Sequence, residues 1–162
     1  MAQTKMTLKM IDFYNGNVHD IEHFLKVYSY ASLIGRAEAL DEKTQDILEM
    51  AAIVHDIACP LCRKKYGNTN GKYQEEESGA LLYPFLSEFK LDTDIQERII
   101  FLVEHHHTFS NITGIDYQIL VEADFLVNAS EASMDMDSIR NFKNKIVKAR
   151  TGIKLFDSIY LH

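Results

Sequence analysis

The segment Met50-Ala51-Ala52-Ile53-Val54-His55-Asp56-Ile57 decides how this chain folds. Its first residues form an apolar run of the kind carried by a helix buried on most faces. The run then ends in an imidazole and a carboxylate. Burying that pair without partners costs several kcal/mol. A divalent cation would satisfy it, and so would a network of hydrogen bonds. The neighbouring sequence must therefore supply either ligands or hydrogen-bond partners.

Working outward, Ile47, Leu48, Ala51, Ala52 and Val54 carry the helix back to Asp41, a suitable N-cap. Cys59-Pro60 reads as its end, because the residue before a proline is pushed out of the α region. Upstream, residues 18–40 read as a first helix, with Ile21, Phe24, Leu25, Tyr28, Ala31 and Leu33 as its apolar stripe. Asp20 and Glu22 lie near its start, where the helix dipole favours negative charge. Residues 63–73 read as a loop marked by Gly67, Asn68, Asn70 and Gly71. A helix follows over about residues 74–89, with Pro84 as a kink or boundary. Asp92 or Thr93 caps the next, which carries Ile95, Ile99, Leu102 and Val103 and ends in Glu104-His105-His106-His107. Asp116 caps a fifth helix, Asp135 or Asp137 a sixth, and residues 153–160 form a short closing helix. No segment alternates apolar and polar residues as a strand would. The expectation is an all-α bundle, a single domain over residues 1–162 with its motif core in about 18–130.

Composition bounds the function. The 162 residues are 46% apolar and 25% charged, with a net charge of −7. Such an acidic chain disfavours nucleic-acid polymers and anionic membranes as partners. The N-terminal residues lack the apolar core of a secretory signal, and no apolar run approaches the roughly 20 residues of a membrane span. Cys59 and Cys62 are too few for a disulfide framework and read as ordinary thiols. A soluble cytoplasmic protein is expected. A homo-oligomer is compatible with the sequence, but no interface is identified in it.

Candidate ligands occur in four places: His23 on the inner stripe of the first helix, His55-Asp56, the histidines 105–107, and Asp124 within the apolar run Leu120–Val127. Mixed imidazole and carboxylate donors suit a divalent transition metal, and sites of this kind are built between bundle helices. Taken singly, each has a plainer reading. His23 alone suits a hydrogen-bonded core histidine, and His55-Asp56 an ion pair at a helix C-terminus. Arg63, Lys64, Lys65 and Lys72 form a basic island, read either as a wet loop or as a grip for substrate phosphate. Glu75, Glu76 and Glu77 read as a solvated face or as a base or ligand. His107 is expected to face solvent or stand behind the ligands.

The ordered set His23, His55-Asp56, His105-His106, Asp124 resembles the HD superfamily of metal-dependent phosphohydrolases. So do the strings Gly71-Lys72-Tyr73-Gln74-Glu75 and Ile119–Asn128, which are similar to small stand-alone bacterial members. The resemblance implies an HD-type helical bundle that binds one or two divalent ions (Mn, Fe, Co, Ni, Zn or Mg). It assigns His23, His55, Asp56 and Asp124 to the first ion and offers His105 and His106 for a second. Two-metal members carry a further histidine before a Gly-Ala pair. Here Gln74-Glu75-Glu76-Glu77-Ser78 precedes Gly79-Ala80, so a glutamate is the candidate replacement. A bound metal acidifies water and draws charge from a phosphoryl oxygen, with Asp56 beside it as the catalytic group. The implied substrate is a small phosphorylated metabolite, a nucleotide first among them. The rival readings are a di-iron oxygenase using the same cage, and a non-catalytic nucleotide or metal sensor.

Overall fold

The computed structural model describes residues 2–162, and among them every regular element is a helix. Nine are found: α1 (Ala2–Tyr14), α2 (Val18–Ala37), α3 (Glu42–Val54), α4 (Cys59–Tyr66), α5 (Gly71–Ser87), α6 (Thr93–His105), α7 (Ile115–Glu131), α8 (Met136–Ile146) and α9 (Arg150–Ile159).

The core is built on α3 and α7. From Ile47 to Val54 every residue of α3 is buried, and nearly all of α7 from Asp116 to Ala129 is too. Helix α2 lies against both, α6 packs on α3, and α5 packs on α6. The opening apolar run is thus a central helix enclosed by its neighbours, as its composition requires. Asp41 caps α3 by accepting from the Thr44 N–H at 2.9 Å, and Asp135 caps α8 from the Ser138 N–H at 2.7 Å.

Several elements differ from the sequence reading. Helix α1 was not anticipated. Lysines and polar residues interrupt it, yet Gln3, Met6, Met10 and Tyr14 recur at three- and four-residue spacing and are all buried. Cys59-Pro60 opens a helix instead of closing one. Proline sits in the first turn of α4, where its missing N–H leaves no bond unmade. Arg63, Lys64 and Lys65 are therefore helical, and the expected loop shrinks to residues 67–70, with Gly67 at φ 77° ending α4. Helix α5 begins at Gly71 and continues through Pro84 to Ser87. Asp116 is not a cap. Gly114 holds that position at φ 90°, and Asp116 instead binds Arg98 through both carboxylate oxygens, at 2.7 and 3.0 Å. Leu25 and Leu33, expected on the inner stripe of α2, face outward.

Among the described residues no helix is long and apolar enough to cross a membrane. Cys59 and Cys62 are buried free thiols, and burial pushes the Cys59 thiol well above its usual range.

Candidate metal centre

Four helices deliver the ligands. His23 projects from the inner face of α2, one turn beyond Asp20. His55 ends α3, and Asp56 follows in the turn to α4. His106 ends α6. Asp124 lies mid-way along the buried helix α7.

Their atoms converge. His23 Nε2 stands 3.1 Å from His55 Nε2, 3.1 Å from Asp56 Oδ2 and 3.2 Å from Asp124 Oδ1. His55 Nε2 is 3.2 Å from Asp124 Oδ1 and 3.5 Å from Asp56 Oδ2. Atoms bound about 2.0–2.2 Å from one ion lie roughly 2.9–3.5 Å apart along the edges of a tetrahedral or octahedral shell. The observed separations fall in that range.

The outer nitrogens of the rings are already engaged. His55 Nδ1 donates to the Ala52 carbonyl at 2.7 Å, and His106 Nδ1 to the Val103 carbonyl at 2.6 Å. His23 Nδ1 lies 2.5 Å from Glu131 Oε1. These bonds put the proton on Nδ1 and turn each Nε2 lone pair inward, the arrangement of a metal-ligating histidine with its supporting acceptor. Two inward lone pairs 3.1 Å apart repel one another unless a proton or a cation lies between them.

Electrostatics agrees. Burial pulls the His23 imidazole down, but hydrogen bonds and charge from Asp124 and Asp56 outweigh it and hold the ring at about 11. Burial pushes the Asp124 carboxyl up, but hydrogen bonds from His23 and His55 prevail and leave it well below the usual carboxylate range. The metal-free cluster therefore keeps a proton where a divalent ion would place its charge.

A second set lies beside the first. Asp56, His106 and His107 each offer a donor atom within 4.8 Å of the others. Asp56 Oδ1, the oxygen not facing His23, is 3.5 Å from His106 Nε2. His106 Nε2 and His107 Nε2 are both buried without a hydrogen-bond partner. Burial, then the charge of His106, lowers His107 to about 4, so at neutral pH its ring is uncharged. Unpartnered buried imidazole nitrogens are costly, and an ion between them and Asp56 would remove that cost.

Other expected residues fall elsewhere. His105 stands outside both groups: its Nδ1 bonds the Phe101 carbonyl at 2.7 Å and its ring stacks on Phe101. Its neighbour His107, expected outside the site, lines the cavity instead. Of the basic island, Arg63 reaches the cavity and binds Asp20 through both terminal nitrogens, at 2.6 and 2.8 Å. Lys65 pairs with Glu77 at 2.6 Å, and Lys64 and Lys72 are exposed away from the lining. Glu75 accepts from the Thr108 hydroxyl, Glu77 from Lys65 and Tyr66, and Glu76 is exposed.

The residue that sequence reasoning missed is Gln74. It is buried, its Nε2 donates to the Thr69 carbonyl at 2.7 Å, and its Oε1 has no partner. The buried stripe of α5 runs Gln74, Ser78, Leu82, Phe85 and Leu86. Followed back from Leu82, that four-residue spacing reaches Gln74 and passes over all three glutamates. Glu131 was missed too, although it lies seven residues after Asp124 on the same face of α7 and lines the same cavity.

His23, Asp56, His107 and Asp124 of the cluster line a cavity of about 190 Å³, and His55 and His106 are fully buried behind them. Larger cavities of about 740 and 600 Å³ lie elsewhere and contain none of these groups, and one of about 270 Å³ shares only Glu131 with this one. Chemistry, rather than size, marks the site.

Fold and cluster together define an all-helical bundle with a His/Asp centre suited to divalent metal. A family model described as the HD domain matches residues 20–152, most of the chain, and the chain belongs to that family. Searches among curated proteins and among solved structures give no match.

Proposed function

We propose that this protein is a divalent-metal-dependent phosphohydrolase acting on a small phosphorylated metabolite, with nucleotides the first class to try. One observation carries the reading: His23, His55 and Asp56 each offer a donor atom within 4.8 Å of the others, Asp124 Oδ1 lies 3.2 Å from both imidazole nitrogens, and His23, Asp56 and Asp124 open onto a cavity that Arg63 lines. These four would hold one ion. Asp56, His106 and His107 fit a second, with Asp56 shared between them.

When bound, a divalent ion supplies Lewis acidity toward a phosphoryl oxygen and acidifies a water. The chain's own groups do the rest. Asp56 turns one oxygen toward His23 and the other toward His106, stays ionised, and accepts a hydrogen bond from an attacking water. Arg63, steadied by Asp20, gives N–H donors to the phosphoryl oxygens. Phosphoryl transfer needs little beyond such positioning and charge stabilisation.

The test is elemental analysis of the purified protein, followed by phosphate release from a panel of esters with Mn, Co, Ni, Fe, Zn or Mg supplied. Metal content near one or two equivalents and metal-dependent turnover are expected. Asp56→Asn should lower turnover at least about 100-fold while the fold is retained. A chain that binds no divalent metal and hydrolyses nothing with any metal supplied would overturn the reading.

A further inference from the structure

We infer that the site accepts a single terminal phosphate, so that its substrates are phosphomonoesters, to the exclusion of diesters and of di- and triphosphates. This rests on the phosphohydrolase reading and narrows it.

Space is the first reason. Cavities that enclose a whole drug-sized ligand run to about 300–1,000 Å³, whereas this one holds about 190 Å³ above the ligand cluster. It has room for a phosphoryl group but not for the body of a nucleotide.

Charge is the second. The lining carries four carboxylates, Asp20, Asp56, Asp124 and Glu131. A metal held by Asp56 and Asp124 would balance their charge. Near the rim, Arg63 is the one lysine or arginine among the described lining residues, and Asp20 already takes two of its donors. A guanidinium has five N–H donors, so three remain for a phosphoryl group. Asn17 fixes Asp20 in turn, donating to Oδ2 at 3.1 Å and accepting from its N–H at 3.1 Å. The Arg63 fork is therefore held in place before substrate arrives. A β- or γ-phosphate would add charge facing Glu131 and Asp20, and the one further cation at Glu131, Lys26, lies outside the cavity lining and is already 3.9 Å from Glu131 Oε2. Lys65, also on α4, is tied to Glu77 at 2.6 Å.

Rim chemistry is the third. Apart from histidine rings, no aromatic side chain lines the cavity among the described residues, so it has no Phe, Tyr or Trp to stack a base. His19, Thr69 and Asn128 present polar atoms there instead. A sugar or polyol leaving group matches them, and a nucleobase, where there is one, lies outside.

The reaction balances as simple hydrolysis. Water's oxygen forms the new P–O bond and the ester P–O bond breaks. One proton of the water goes to the departing alcohol oxygen and the other stays on inorganic phosphate.

The experiment measures phosphate release by the metal-loaded chain from nucleoside 5′-monophosphates, sugar phosphates and p-nitrophenyl phosphate. These are compared with ADP, ATP and bis-p-nitrophenyl phosphate. Monoesters should exceed the others at least about 100-fold in kcat/KM, the scale of discrimination from opposed buried charge. Arg63→Gln should raise KM for monoesters about tenfold, with Arg63→Lys intermediate and the helical circular-dichroism spectrum retained. Preference for triphosphates or diesters would overturn this inference and leave the phosphohydrolase reading standing. No turnover on any ester would overturn both.

Discussion

Glu131 offers the sharpest test of the metal centre, because it touches the ligand set only through His23. Its Oε1 lies 2.5 Å from His23 Nδ1 and its side chain is 17% exposed, so the contact is largely shielded from water. Glu131→Gln keeps the shape and an acceptor oxygen but removes the charge. Partners that orient a ligating histidine contribute about 10–100-fold in metal affinity, or roughly 1.4–2.7 kcal/mol. Metal at 100 times its wild-type Kd stabilises the fold by about 2.7 kcal/mol. For a chain of this length that raises Tm by about 5–11 °C. At the same metal concentration the variant sits at about 1–10 times its own Kd, and its stabilisation falls to roughly 0.4–1.4 kcal/mol, or about 1–6 °C. Calorimetric titration with Mn or Co gives Kd directly, and thermal unfolding with and without metal gives the linked shift. Equal Kd and equal Tm shift in the two proteins, with the wild type binding metal, would refute the argument that His23 is oriented through Glu131.

Four further outcomes follow. Gln74→His supplies an imidazole where an unpartnered amide oxygen now lines the cavity, so metal stoichiometry by elemental analysis should move toward two equivalents. An unchanged ratio places Gln74 away from the second ion. Met10→Ala removes a fully buried side chain of α1 and should destabilise by about 2–5 kcal/mol in urea unfolding; a loss under 1 kcal/mol would mean that α1 is not part of the core. Gly71→Ala puts a Cβ 2.7 Å from the His107 Cβ, so the ring must shift, and metal titration should show weaker binding of a second ion than of the first. In the metal-free chain, His23 is raised to about 11, so its contribution to stability is full below its ordinary 6.5 and is lost as pH climbs toward 11. Asp124 is held below 3.8, so its contribution is full above that value and is lost as pH falls further. Denaturant midpoints should therefore decline on both the alkaline and the acid side, and a flat profile would count against the paired cluster.

The helical class and most of the ligand positions were legible because both follow from short-range rules. Four-residue spacing set His23 on the inner face of α2, and the apolar surroundings of Asp124 predicted its burial. What sequence reasoning lost lay at helix ends and off the expected stripes. Proline looks the same after a helix as in the first turn of the next one, so Cys59-Pro60 was read in the wrong direction and Arg63 was placed in a loop. Three adjacent histidines at the end of α6 differ by about 100° per residue. Which two face inward depends on where the helix stops, and the structure turns His106 and His107 inward and His105 onto Phe101. The pairing of His23 with Glu131 spans 108 positions, and no local pattern encodes it.

The placement of ligands at helix ends also explains how the fold and the site depend on each other. His55 and His106 each close a helix, and each uses Nδ1 to satisfy a carbonyl of the last turn, Ala52 in α3 and Val103 in α6. Such carbonyls have no partner within their own helix. One ring thus caps the helix with one nitrogen and presents the other to the centre. The helix end fixes the tautomer, and the tautomer fixes which atom faces the metal. An ion bound between them would join the ends of α3 and α6 to the middle of α2 and α7. Binding energy at the centre would then act directly on the packing of the core, and folding and metal affinity would be measured together.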